Sequence, residues 1–302
     1  MSPPVTSTQP AAVILAHADP RQVRRVIGSL AGFSVFLHCD RRTTDEVFRA
    51  MTDGVPTPVE IVPRLRTTLF SWSLVHAELR GLHAALERTS AEHIVIMSGS
   101  CYPLHSPDAL HEALAAAGGR TRMESEPLPY AGWSTARNPD GGYWRFRRRF
   151  VVVRDQAILV RGIPLRTFRR EIPPELSLHG GGQWKVYSRA HATRLLEVCR
   201  ERPDLIEFFR TSHVPEESFV PTILRSRELV GSVAEEIIPY GGWYIDWPTD
   251  DPTHPRWLTS GSFDAIRAAR DAPQLDDRAL FARKIRSQDA ELVDRIDAEL
   301  RQ

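Results

Sequence analysis

The sequence predicts an α/β fold in which a parallel sheet is covered by helices. Short apolar stretches recur through the first third of the chain, helix-period segments stand between them, and each apolar stretch ends in polar residues. Repeated strand–helix units of this length imply parallel strands buried on both faces.

AAVILAH, residues 11–17, is the first strand. DPRQVRRVIGSL follows as a helix, with Asp19 and Pro20 as cap and first-turn pair and Val23, Val26, Ile27 and Leu30 on its apolar side. FSVFLHCD is a second strand ending at His38 and Asp40, TTDEVFRAM a short helix and VEIV a third strand. In SWSLVHAELRGLHAALER, Leu74, Val75, Leu79, Leu82 and Leu86 recur at helical spacing. HIVIMSG is a fourth, fully buried strand. Ligands in such folds gather at the C-terminal strand ends, which here brings together His17, Asp40 and the loop 98–104.

The totals exclude several classes. Among 302 residues, 39 Lys plus Arg stand against 38 Asp plus Glu, so net charge offers nothing to bulk nucleic acid. Cys39, Cys101 and Cys199 have neither CxxC spacing nor even pairing, which suits a reducing cytoplasm and argues against a structural metal site. MSPPVTSTQP lacks the basic start and apolar run of a signal peptide and reads as a loose tail over residues 1–10. No apolar run is long enough for a membrane span. The Gly-rich dinucleotide fingerprint and the P-loop are also missing. A single domain spanning residues 1–302 and a cytoplasmic location are expected; the oligomeric state is unreadable.

The second half is less periodic. Six of the seven tryptophans lie from Trp133 onward, in Gly-rich segments such as GGYWRFRRRF, HGGGQWKVYS and IPYGGWYIDWP, where flexible backbone sits beside aromatic rings. Rings feeding an α/β crevice suit a sugar or nucleotide ligand. In RFRRRF, Arg145, Arg147 and Arg149 would alternate along a strand and expose one charged face, with or without an anionic ligand. VPEESFVPTIL puts Glu216 and Glu217 at a helix entrance, where first-turn carboxylates are common for structural reasons alone.

The pieces ILAHADPRQ, FLHCDRR, SWSLVHAELRGLHAAL, IMSGSCYPL, GGQWKVYSR, VPEESFVPTIL, YIDW, HPRWL and LFARKI, in this order, resemble the core-2/I-branching family of glycosyltransferases (glycosyltransferase family 14). That family also contains peptide xylosyltransferases. The resemblance implies a GT-A-type fold, a nucleotide-binding αβα sandwich with integrated acceptor-side elements. It further implies inverting transfer of GlcNAc or xylose from a UDP donor, with no divalent metal and no cofactor. The acceptor would be a hydroxyl-bearing small molecule or carbohydrate.

By the same resemblance Glu217 is the catalytic base and Glu216 its support. Arg256 and Lys284 stabilise the departing diphosphate, and Asp40 with His17 recognises the donor base. Glu124, Glu126, Trp184 and Trp247 border the acceptor. Where a DxD metal loop would follow the fourth strand, the sequence reads SGSCYPL; Cys101 is expected as a buried thiol and His105 as loop polarity. A noncatalytic nucleotide- or sugar-binding protein on a transferase fold is the competing expectation.

Overall fold

The structure, a computed structural model, describes residues 9–135, 138–161, 163–248 and 254–302. Most of the expected N-terminal tail, residues 1–8, lies outside the described residues.

The first half folds as the periodicity predicts. Strands β1 (Ala11–Ala16), β2 (Ser34–Cys39), β3 (Val59–Ile61) and β4 (His93–Ser98) alternate with helices α1 (Pro20–Gly28), α2 (Asp45–Arg49) and α3 (Trp72–Arg88). Asp19 caps α1, its carboxylate accepting from the Gln22 amide at 3.2 Å, with Pro20 in the first turn. β1 pairs in parallel with both β2 and β4, and β2 with β3.

The seven-stranded sheet is not wholly parallel. Lys185–Ser188 runs antiparallel to β4 and leads, through Thr121–Arg122, to an outer strand Ile237–Ile238. A four-residue strand, KVYS, carries no signal of its direction. Only the chain's route through the less periodic second half decides it.

Side chains of β1 alternate between two cores, as a period of two requires. Ala12 and Ile14 join α1 and the C-terminal helix Ala290–Glu299 on one face. Ala11, Val13 and Leu15 meet α3 and the helices Arg189–Glu201 and Phe219–Arg225 on the other. Helices therefore cover both faces, giving the expected αβα sandwich. α3 lies so close to β1 that a Cβ on Gly81 would collide with the Val13 side chain. The C-terminal ends of β1, β2 and β4 are left facing a cleft.

Candidate active site

At those strand ends lies a cavity of about 190 Å³ lined by His17, His38, Thr67, Trp184, Trp257 and Arg283 among others. His17 is exposed on its rim. His38 is buried, its Nε2 accepting from the Leu65 amide at 2.9 Å, and burial pushes its pKa down to about 4, so it is neutral near pH 7. Asp40 sits just behind. Burial alone would raise its carboxyl, but the Arg42 guanidinium at 2.8 Å and the Thr67 hydroxyl at 2.6 Å outweigh that and hold it far below the usual range. Asp40 thus reaches the cavity through Thr67.

Sequence reasoning missed Arg283. The strand Phe281–Arg283 pairs antiparallel with Cys101–Pro103, which carries the Arg283 guanidinium to the end of β4. There it donates to the Ser98 hydroxyl, and to the Ser100 hydroxyl at 2.9 Å, and lies 4.5 Å from the Trp184 ring centre. Its signal was adjacency to Lys284 in LFARKI, which drew attention to the lysine alone.

Lys284 sits 4.6 Å over the Trp257 ring. Burial, and then the like charge of Arg283, hold its ammonium below the ordinary value. Among the described residues neither cation makes an ion pair. The HPRWL and LFARKI segments are laced together by the Leu258 amide on the Lys284 carbonyl at 2.9 Å. Arg256 is exposed. Its amide donates to the Asp246 carbonyl at 2.8 Å, and its guanidinium lies 3.9 Å from the Asp246 carboxylate. Trp247 follows as an exposed ring.

The glutamate pair occupies a short 3₁₀ turn, Pro215–Glu217, ahead of the helix Phe219–Arg225. Glu216 turns inward and Glu217 outward. Glu216 accepts from the Phe70 amide at 2.6 Å, while its second oxygen is buried without a partner. Phe70 and Val214 both take left-handed backbone, at φ 63° and 50°. Such positions cost about 1–3 kcal/mol each for non-glycine residues and need local restraint. The Phe70–Glu216 bond supplies it, joining the loop before α3 to the glutamate turn. Glu216 is thus a tie between the Phe70 loop and its own turn.

Burial, with a further push from Glu217, raises the Glu216 carboxyl to about 8. Its folded pKa therefore lies above the unfolded value of about 4.3. Stability from the neutral form is complete below that lower value and is lost as pH rises through 8. Glu216→Gln keeps an acceptor for Phe70 and removes the titration. The variant should gain on the parent by at most about 1.4 kcal/mol per pH unit across that window. Urea unfolding at several pH values reads this; parallel curves for both proteins would refute it.

Glu217 is half-buried, and the Arg145 guanidinium donates to its Oε2 at 2.9 Å. Among the described residues Oε1 takes no hydrogen bond, so one carboxylate oxygen is anchored and the other is open. Arg145 lies 3.6 Å over the Trp133 ring and 5.8 Å from Trp144. The expectation that RFRRRF presents an alternating charged face is therefore wrong. The strand begins only at Arg148, Arg145 sits in the 3₁₀ turn Tyr143–Arg145, and Arg147 and Arg149 pair with Asp140 and Glu207.

The Gly-rich HGGGQW segment also differs from the flexible backbone expected of it. A Cβ on Gly180 would strike the Trp133 ring and one on Gly181 the Glu124 carbonyl, so these glycines permit close packing. The Gly181 amide donates to the Glu217 carbonyl at 2.8 Å, and the Gly182 amide to the Glu124 carboxylate at 2.9 Å. Burial, then the Glu126 and Glu217 charges, push the Glu124 carboxyl up against the Gly182 bond. Glu126 points to solvent.

Of the residues singled out from sequence, His17 and Trp184 line the cavity directly. Asp40 bonds the lining residue Thr67 and Lys284 sits over the lining ring of Trp257, while Glu217 and Glu124 bond the Gly181 and Gly182 amides next to the lining residue Gln183. Asp40, Glu124, Glu126, Glu217, Trp247, Arg256 and Lys284 are not themselves among its lining residues. Cys101 is a buried thiol as expected, whereas His105 is buried too and anchors on the Ala279 carbonyl at 3.0 Å. Among the described residues no three His, Cys, Asp or Glu side chains cluster to hold a metal ion, and no helix is long and apolar enough to cross a membrane.

Residues 16–267 match the family model of the Core-2/I-branching enzymes. The chain belongs to that family. A 202-residue stretch is 26% identical to the human beta-1,3-galactosyl-O-glycosyl-glycoprotein beta-1,6-N-acetylglucosaminyltransferase 3. That match covers 65% of this chain and 42% of the human protein, so the family member described here spans less than half of its relative's length.

Solved structures to which the chain shows similarity include HddC from Yersinia pseudotuberculosis, 10% identical over 60% of this chain and 78% of that one, TM-score 0.30. A cytidylyltransferase from Leptospira borgpetersenii is 11% identical over 96% of this chain and 94% of that one, TM-score 0.36. At these values neither bears on activity.

Proposed function

We propose that this family member transfers a sugar, GlcNAc or xylose by preference, from a UDP donor to a hydroxyl of a small-molecule or glycan acceptor. Transfer inverts the anomeric configuration and needs no divalent metal. The observation that carries this reading is Arg283, which lines the cavity, with its neighbour Lys284 over the lining ring of Trp257, neither with a carboxylate in ion-pair contact among the described residues. Positive charge left unbalanced in a partly buried site favours an anion of matching size, and a diphosphate leaving group develops negative charge as it departs.

In this mechanism the acceptor hydroxyl gives its proton to the open Oε1 of Glu217 while its oxygen attacks the anomeric carbon. The bond to the diphosphate oxygen breaks, and its electron pair leaves with UDP, beside Arg283 and Lys284, with Arg256 on the neighbouring HPRWL segment as a further cation. One displacement gives one inversion. Arg145 holds Glu217 by its other oxygen and so fixes where the base points. His17 and the Asp40–Thr67 pair shape the donor-base end. Glu124, Glu126, Trp184 and Trp247 offer acceptor contacts, rings for sugar faces and carboxylates for hydroxyls. Three free thiols suit a reducing compartment such as the cytoplasm.

Purified protein should turn over a UDP-sugar and a hydroxyl acceptor in EDTA. Activity that vanishes on chelation and returns only with Mn²⁺ or Mg²⁺ would overturn metal independence. Tight UDP binding with no transfer across broad donor and acceptor panels would overturn the enzyme itself. Hydrogen bonds to charged groups contribute about 1.5–3 kcal/mol, so Arg283→Met and Lys284→Ala should each weaken UDP affinity by about tenfold or more. Calorimetric titration of the folded variants checks this, and unchanged affinity in both would reject the diphosphate site.

A further inference from the structure

Residues 147–170 hold eight arginines against one acid, Asp155, in a chain whose net charge is +1. The segment is a three-armed β element. Arg148–Phe150 pairs antiparallel with Arg166–Arg169, and two short hairpins, Val152–Val153 with Gln156–Ala157 and Leu159–Val160 with Ile163–Pro164, project between them. Its centre is locked by the Val151 amide on Leu165, the Ile158 amide on Val151 and the Leu165 amide on Ile158, at 2.8–2.9 Å. Its base is tied down by Arg210 on Asp155 at 2.7 Å and by the Phe150 amide on the Thr211 carbonyl at 2.9 Å.

Four of the arginines have local employment. Arg147 and Arg149 make ion pairs, Arg148 donates to the Thr167 carbonyl, and Arg170 is held by Phe146, Thr211 and Ser212. The other four, Arg154, Arg161, Arg166 and Arg169, are exposed and make no ion pair among the described residues. Between them stand exposed apolar side chains: Val153, Leu159, Val160, Leu165 and Phe168, with Leu159 58% and Phe168 65% accessible.

A hairpin this well anchored does not turn its leucines and phenylalanine to solvent for want of structure. We propose that the 153–169 arms are a docking surface for an anionic phospholipid bilayer. Charge complementarity selects the partner: four unpaired guanidiniums match lipid phosphates, to which arginine binds in bidentate fashion. The interleaved aliphatic and aromatic tips match the acyl boundary just below those phosphates. The apolar groups sit on separate projecting arms and not on one flat patch, which suits a fluid interface better than a shaped protein partner. The inference is independent of the transfer reaction.

The test is co-sedimentation of the full chain with vesicles of phosphatidylcholine alone and of phosphatidylcholine mixed with phosphatidylglycerol. The protein should bind the mixed vesicles, release with added salt and ignore the neutral ones. Each arginine near an anionic surface contributes roughly a fivefold factor, so Arg161→Ala with Arg166→Ala should weaken binding by about tenfold or more. Leu159→Asp with Phe168→Asp should weaken it as well, both variants keeping the parent's circular dichroism. Absence of binding to mixed vesicles at low salt overturns the proposal and makes an acidic protein the alternative occupant. So does binding that the variants leave unchanged. Soluble glycerol phosphate that abolishes binding, with the Leu159/Phe168 variant equal to the parent, would leave a phosphate site and no bilayer contact.

Discussion

Replacing Glu217 by glutamine is expected to slow sugar transfer by about 10²–10⁴-fold, the usual contribution of a positioned acid–base group, while UDP affinity stays near the parent's. The side chain keeps its size, and Arg145 keeps an oxygen acceptor. What is lost is the ability of the free oxygen to take a proton. Glu217 stands outside the buried cores, and its backbone carbonyl still receives the Gly181 amide at 2.8 Å, so the fold should persist. Single-turnover transfer and donor affinity, measured on the same preparation, separate the two effects. Near-normal transfer rejects the base. Loss of UDP binding in parallel with transfer would instead mark Glu217 as a donor contact, since a group acting only on the acceptor proton leaves donor binding alone.

What could be read ahead of the structure follows the range of the interactions involved. β1 to β4 and the helices between them were readable because local periodicity and one capping pair, Asp19–Pro20, define each within its own short stretch of chain. The expectation for Glu217 came from the resemblance of the motif around it, and its Arg145 partner was not part of that motif. Arg283 was not readable, since its place at the end of β4 depends on a strand pairing across nearly two hundred residues. The direction of Lys185–Ser188 and the inward turn of Arg145 fail for the same reason. The glycines of HGGGQW were visible but ambiguous. Flexibility and close packing leave the same letters, and only Trp133 and Glu124 pressing on the backbone decide between them.

The largest stability effect should come from Lys185, a residue with nothing in its sequence context to mark it. Lys185 and Glu78 are both fully buried, their charged atoms 3.0 Å apart, joining α3 to the sheet. The ammonium also donates to the Gln183 carbonyl, and the Tyr187 hydroxyl donates to Glu78, each at 2.6 Å. Burial, then the Glu78 charge, push the Tyr187 phenol well above its ordinary value, so it remains a donor. The second Glu78 oxygen is buried without a partner.

Lys185→Met fills similar space but leaves the buried Glu78 carboxylate without its countercharge, with the Tyr187 hydroxyl as its remaining donor. Removing one member of a buried pair costs about 3–5 kcal/mol, against a total stability of roughly 5–15 kcal/mol for most domains. The variant's urea midpoint should fall steeply. Because Gln183 and Trp184 line the cavity and Gln183 is held by the same ammonium, UDP affinity should fall with it. Lys185→Met with Glu78→Gln removes the stranded charge, keeps a partner for Tyr187 and should recover most of the stability. A single variant within 1 kcal/mol of the parent would mean that solvent or a proton reaches Glu78 freely. A double variant no more stable than the single would show that the loss came from packing and not from the uncompensated charge.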